Sequence, residues 1–218
     1  MSQPEDALWQ GQTQQKTHID ELRIFNVRQP YPLLLAAKRA LSAGDFTTVL
    51  RACAIISCAI TPLAVWLPTT RERANAVAVE IAVGKLTGYD SIVRALRTIY
   101  PSDEQFRNAF AEKQLRTVNS RNRRLVRYIL FKLESHLTGQ EYDVDSSTYS
   151  IEHILPENPD SDWPQFSDLQ VEQNVYRLGN MTLLSADRNR NLGNKDFAEK
   201  RKAYADSKFE ITLNISRQ

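Results

Sequence analysis

With 218 residues and 42% hydrophobic side chains, the chain has enough apolar material for one large core or two smaller ones, so it is not a disordered or low-complexity protein. A formal net charge of +2 gives no bulk polyelectrolyte character, and two cysteines five apart in an apolar run, Cys53 and Cys58, argue against a disulfide framework. They read as small packed hydrophobes in a reducing cytoplasm, and with only His18, His136 and His153 available they leave no zinc-ligand set.

The polar, Gln-rich stretch from Met1 to Thr17 lacks a basic segment leading into an apolar one, so it is not a signal peptide; residues 1–30 read as a flexible or irregular lead-in. His18 to Val27 is too irregular in its apolar spacing to assign. Residues 31–139 read as a helical bundle. Pro30 and Pro32 suit the first turn of a helix from Tyr31 to Ala43, with Leu34, Ala37 and Leu41 inward and Gly44 as its stop. Asp45 is positioned to cap the next helix, which carries Val49, Leu50, Cys53, Ile56 and Ile60 and breaks at Pro62. The apolar run from Ala52 to Leu67 is interrupted by Ser57, Thr61 and Pro62 and is shorter than the roughly 18–20 residues of a membrane span, so it reads as a core helix with no membrane partner. After Pro68-Thr69-Thr70, periodicity predicts a third helix over Arg71–Leu86, closed by Gly88, and a fourth over Tyr89–Ile99.

Pro101-Ser102-Asp103-Glu104 is a helix start signal, with acids in the first turn of a helix through Glu112. Asn119 to Leu137 is amphipathic and ends at Gly139; Leu125, Tyr128, Ile129, Lys132, Leu133 and His136 keep helical spacing, while Arg121, Arg124 and Arg127 line its outer face. Beyond Gly139 helical periodicity stops. Ser146–Ile151 and Leu178–Leu184 read as short strands, separated by a loop punctuated by Pro156, Pro159 and Pro164 with Asn158, Asp160, Ser161 and Asp162. Asp187–Asn191 reads as a polar turn. Asn194 then caps a helix from Lys195 to about Ala205, with Phe197 and Tyr204 sharing a face. Phe209, Ile211, Leu213 and Ile215 alternate with period two and predict a terminal strand.

Charge is segregated along the second half. Arg116 to Lys132 holds six basic residues and no acid, Leu133 to Tyr176 holds ten acids and no Lys or Arg, and basic residues return at Arg188, Arg190, Lys195, Lys200, Arg201, Lys202 and Lys208. An acidic block between basic ones suits a protein that grips a polyanion around a cation, although solvated helix faces produce the same pattern. Within the acidic block, Glu152-His153 ends an apolar run. His153 is a natural general base near neutral pH, and Glu152 and Asn189 offer hard oxygens suited to Mg2+ or Mn2+. Neighbours on an unbroken strand face opposite ways, so Glu152 and His153 share one site only if the strand ends there.

The ordered set Glu152-His153-Ile154-Leu155-Pro156, Leu178-Gly179-Asn180-Met181-Thr182-Leu183-Leu184, Asp187-Arg188-Asn189 and Asn194-Lys195-Asp196-Phe197, with Lys200 following, resembles the HNH-type ββα-metal nuclease domain at the C-terminus of GmrSD-type restriction enzymes. It is similar, more remotely, to the HNH domain of RNA-guided DNA endonucleases. The resemblance covers Tyr149 to about Tyr204. It implies an α+β, mainly α architecture in which the helical bundle precedes an HNH-like unit over residues 140–218. By position it implies His153 as general base, Asn180 as the residue orienting the loop or the histidine, and Glu152 and Asn189 as metal ligands. Glu152 stands where many HNH domains have Asp, and Asn191 or Asn194 also fits the place given to Asn189. The DNA contacts expected are Arg188, Arg190, Lys195, Lys200, Lys202, Arg124 and Arg127. The implied function is a metal-dependent DNA endonuclease that nicks or cleaves with little sequence specificity, the effector part of a cytoplasmic phage-defence protein with an upstream nucleotide-hydrolysing sensor domain. No Walker-type glycine loop occurs in the chain, and its polar start at Met1 suggests an excised C-terminal part. The rival class is a catalytically silent DNA-binding or protein-interaction module.

Overall fold

A computed structural model describes residues 3–61, 68–159 and 162–218. The break expected at Pro62 and the loop residues Asp160 and Ser161 lie outside them. Among the described residues the chain is mainly helical with one small sheet, and it divides into two compact units, Met1–Phe110 and Ala111–Gln218, ahead of the amphipathic helix that the sequence pattern assigns to the bundle.

The first unit is helical from its start. Asp6 caps a short turn at Ala7–Trp9, and α1 spans Thr13–Phe25. Ile19, Leu22, Ile24 and Phe25 are buried, and Asn26 closes the helix in the left-handed conformation at φ 54°, its amide bonded to the Leu22 carbonyl. Trp9 is buried and stacks on Phe46 with centroids 6.4 Å apart. The irregular lead-in is therefore corrected to a folded part of this core; its apolar positions lie mostly in the second half of α1, too few to show a period. Next come α2 (Tyr31–Ala40), α3 (Ala43–Ile60), α4 (Pro68–Ala82) and α5 (Tyr89–Leu96), which a single 3-10 turn extends to Ile99. Ser42 rather than Asp45 caps α3, its hydroxyl accepting from the Asp45 amide at 3.1 Å, so Gly44 lies inside the helix rather than between helices. The core of the unit is Leu33, Leu34, Phe46, Leu50, Val77 and Ile92 with their neighbours. By length and composition α3 could cross a membrane, and half of it is buried in this core. Both thiols are free; burial pushes Cys53 up to about 12 and Cys58 up to about 11, as expected of packed, unreactive cysteines.

The boundary between the units falls in α6 (Asp103–Glu112), which Ser102 and Gln105 open with reciprocal side-chain to amide bonds of 3.2 and 3.0 Å. In the second unit α7 (Ser120–Thr138) runs from the Asn119 cap to Gly139 at φ 72°. Its buried face is Leu125, Val126, Leu130, Phe131 and Glu134, rotated from the face expected because Glu134 points inward. β1 (Tyr149–His153), α8 (Asp168–Asn174) and β2 (Met181–Ser185) follow, with the strands antiparallel and Glu152 opposite Thr182. Helix α8 was not expected in the proline-rich loop; it begins after the prolines at a capping box of Ser167 and Gln170. Leu178–Asn180 is a 3-10 turn rather than strand. The polar segment after β2 is a helix, α9 (Ala186–Leu192), and α10 (Phe197–Ala205) is capped by Asp196, not Asn194. Phe197 is 38% exposed while Tyr204 is fully buried, so the two do not share a packed face.

The terminal strand is also corrected: residues Glu210–Ser216 form a helix, α11. Phe209 and Thr212 are fully buried and Ile215 packs on the Leu184, Leu192 and Tyr204 cluster, a helical spacing of three. The inward position of Thr212 hides that period, and its hydroxyl bonds Thr182 at 2.7 Å and the Leu183 carbonyl at 2.6 Å. Glu134, wholly buried, receives the Glu210 and Ile211 amides at 2.9 and 3.0 Å and so caps α11 from α7. Replacing it by Ala leaves two half-buried donors without their charged acceptor, and Glu134→Ala is expected to lower stability by about 2–3 kcal/mol, read from the denaturant midpoint.

Candidate active site

β1 is unbroken through His153, so its side chains alternate between two environments. Three side chains from outside the sheet fix its course. Arg127 of α7 donates Nε to the Val144 carbonyl at 2.7 Å, one terminal nitrogen to the Ser146 carbonyl at 2.6 Å and the other to the Tyr149 carbonyl. Asn189 of α9 donates Nδ2 to Ser150 Oγ at 2.9 Å and to the Ile151 carbonyl at 2.8 Å. Asn180 clasps the exit of the strand, accepting from the Leu155 amide at 2.8 Å and donating to the carbonyls of Leu155 and Val175 at 2.9 and 3.0 Å.

On one face Glu152 is 3% exposed and Lys200 1%. Glu152 Oε1 accepts from Lys200 Nζ at 2.8 Å and from the Tyr204 hydroxyl at 2.8 Å, and the ammonium also donates to the His153 carbonyl at 2.6 Å. Burial raises the Glu152 carboxyl above its ordinary value, against the opposing pull of Lys200 and the hydrogen bonds; burial and the carboxylate together raise the Tyr204 phenol.

On the other face the His153 side chain is 14% exposed. Its Nε2 lies 3.4 Å from Thr117 Oγ1 and 3.6 Å from Glu157 Oε1, and the ring meets Tyr176 edge-on at 5.9 Å. Thr117 Oγ1 donates to Glu157 Oε1 at 3.3 Å. Burial lowers the imidazole below its ordinary value, opposed by Glu157 and reinforced by Lys200, so the ring is neutral and able to accept a proton at neutral pH. These groups line an open cavity of about 400 Å³ with Arg123, Arg127, Tyr149 and Ile151. Arg123 is exposed, and its Nε is anchored on the Thr117 carbonyl at 3.0 Å.

The residues expected to act together are thus divided. Glu152 lies on one face of β1 and His153 on the other, while Asn189 is bonded to Ser150, which lines the His153 cavity. Lys200 cannot reach a phosphate, because its ammonium is buried on Glu152. Arg127 is spent on three carbonyls, and Arg124 pairs with Asp145 at 3.1 Å, so neither is an open outer-face contact. Arg188, Arg190, Lys195 and Lys202 are exposed, with Arg188 donating to the Asp206 carbonyl, Arg190 paired with Asp187 and Lys202 with Glu199. Composition gave no sign of Arg123, Thr117 or Glu157 as site residues. The one available cue was Glu157, four residues after His153 on the same exit turn.

Oxygen donors for a hard divalent ion are unevenly distributed. Among the described residues no three of His, Cys, Asp and Glu come together. Glu152 does not fit a cation in this arrangement, since an ammonium already neutralises it. Glu157, with a side chain 34% exposed beside the Thr117 hydroxyl, is the carboxylate at the cavity that fits one, in the manner of Mg2+ sites built from a single carboxylate and substrate phosphates.

The second unit is thus made of helices and a two-stranded sheet whose first strand ends on a histidine over an open, arginine-lined cavity. Residues 100–218 match the family described as GmrSD restriction endonucleases, C-terminal domain, and the chain belongs to that family. That part of the chain is a restriction-endonuclease effector module with DNA as its substrate class. No curated protein matches the chain.

Breaking the buried pair from the Lys200 side leaves a carboxylate without a counter-charge. Lys200→Met is expected to cost about 3–5 kcal/mol, whereas Lys200→Met with Glu152→Gln recovers part of the loss, both measured by chemical denaturation. The imidazole should titrate below 6.5 by NMR, and Glu157→Gln, by removing the opposing charge, should move that midpoint further down. A midpoint at or above 6.5 contradicts the burial argument.

Proposed function

We propose that the second unit is an HNH-type endonuclease that hydrolyses DNA phosphodiesters with His153 as general base. The observation that carries this reading is a partly buried imidazole of lowered basicity opening onto a cavity beside Arg123 in a chain of this family. The neutral imidazole takes the proton of an attacking water, and Arg123 meets the phosphate. Asn180 and Asn189 hold the backbone that carries His153 rather than touching substrate. A divalent ion, Mg2+ or Mn2+, would be held by Glu157 with the Thr117 hydroxyl and would supply charge stabilisation on the phosphate. Arg188, Arg190, Lys195 and Lys202 supply sequence-independent backbone contacts, and little sequence specificity is expected. The module acts in the cytoplasm as the effector of a phage-defence protein whose nucleotide-hydrolysing sensor domain lies upstream.

One such cavity attacks one strand at a time, so supercoiled plasmid should give relaxed circles before linear product. Purified protein with Mg2+ or Mn2+ should show this, EDTA should stop it, and His153→Ala should slow it by about 10²–10⁴-fold. Plasmid left intact by the wild type under every condition, with binding retained, favours the catalytically silent module. Faster loss of RNA than of DNA makes the unit a ribonuclease.

A further inference from the structure

The first unit carries an arginine-lined groove of its own, outside the residues matched by the family. Two helix faces form it. From α3 come Thr48, Arg51, Ala52 and Ile55, spaced as one stripe of a helix, and from α5 and its following turn come Tyr89, Val93, Arg94 and Arg97. Ala52 and Val93 are half-buried and form the floor, while Arg51, Arg94, Arg97 and Tyr89 are exposed along the rims. The groove is open and measures about 360 Å³.

Its charge is uncompensated. Among the described residues none of the three guanidinium groups forms an ion pair or a side-chain hydrogen bond. Arg94 and Arg97 stand three apart on one helical face, an arrangement of like charges that weakens a helix unless an anion lies between them. Asp90 is the single carboxylate in the lining, and it pairs with none of them. Three fixed positive charges around a groove with one negative charge select an anion, and the planar guanidinium fork selects an oxyanion such as phosphate. Tyr89, 39% exposed, adds a neutral donor of the kind that accompanies arginine on phosphates.

We propose that this groove binds the phosphate backbone of DNA through Arg51, Arg94 and Arg97, as a second contact on the substrate that the nuclease unit cuts. The inference rests on DNA being that substrate, but not on the chemistry at His153. It is tested by fluorescence anisotropy of a labelled DNA duplex, in EDTA so that no cleavage intervenes, across a range of salt concentrations. The full chain is compared with the triple variant Arg51→Gln, Arg94→Gln, Arg97→Gln and with the corresponding triple Lys variant. The Gln variant should bind at least tenfold more weakly at low salt, with a log K against log salt slope shallower by about 2–3, since each phosphate contact contributes about 0.9. The Lys variant should keep most of the slope, and circular dichroism melts of all three should coincide because the side chains are exposed. Equal affinity and slope for wild type and the Gln variant overturn the proposal. So does a labelled Glu-rich peptide that binds the wild type and is lost in the Gln variant while DNA binding is unchanged. This assay reads binding in EDTA and the plasmid assay reads cleavage, so a failure of the nuclease reading shows there and not here.

Discussion

The second unit depends on one buried charge pair. Glu152 and Lys200 are both almost wholly removed from water, and withdrawing two ions costs more than their attraction returns unless further hydrogen bonds complete the arrangement. Tyr204 on the carboxylate and the His153 carbonyl on the ammonium complete it. The pair is also a registry device. Since β1 is extended through His153, holding Glu152 on one side obliges His153 to face the other. The same ammonium that neutralises the acid grips the backbone of the histidine, so the orientation of the imidazole is set from behind.

Much of the polar inventory that looks like a ligand set is scaffolding of this kind. Arg127, Asn180 and Asn189 together spend their donors on carbonyls and a hydroxyl of the segment from Val144 to Val175, and all three bond β1 or its exit. Backbone carbonyls at a strand end otherwise need water, and a buried group left unpaired is costly, so these side chains are required by the fold whatever the chemistry. What lines the cavity, and is proposed to meet substrate, is a smaller group: the imidazole, the Glu157 carboxylate, the Thr117 hydroxyl and the Arg123 guanidinium.

Helices α2 to α7 were legible because their signals are local: apolar spacing, the Asn119 cap, the Gly139 stop. The order of the motifs from Glu152 to Lys200 was enough to show the family. Roles were not legible in the same way, because residue type announces what a side chain can do and not what it touches. A lysine on a polar helix is usually solvated, so the sequence points Lys200 at phosphate; only the fold shows that the inward face of α10 is Lys200 and Tyr204, a pair without apolar periodicity. The mistaken terminal strand has the same origin. Four apolar residues at alternate positions fit period two, and the deciding inward residue, Thr212, is polar. Thr117 lies thirty-six residues before His153, so only tertiary structure brings its hydroxyl to the imidazole.

The two units are stabilised differently, and the difference bears on catalysis. The first is an apolar helical core in which Leu, Ile and Val dominate, tolerant of small shifts in side-chain position. The second has, among the described residues, a sheet of only two strands, which is marginal alone and packs against the Phe131, Tyr142, Tyr149 and Phe209 rings and smaller apolar clusters. Directional bonds from α7, α9 and α10 fix the course of its strand. Such bonds lose strength within a few tenths of an ångström, so a unit assembled from them holds its strand end to a narrower geometry than apolar packing would. The general base proposed at His153 would draw on that precision, because its effect depends on a fixed distance to the proton it removes. The polar lattice around Glu152 is therefore both the means by which a small sheet folds and the reason the imidazole beside it is held in place.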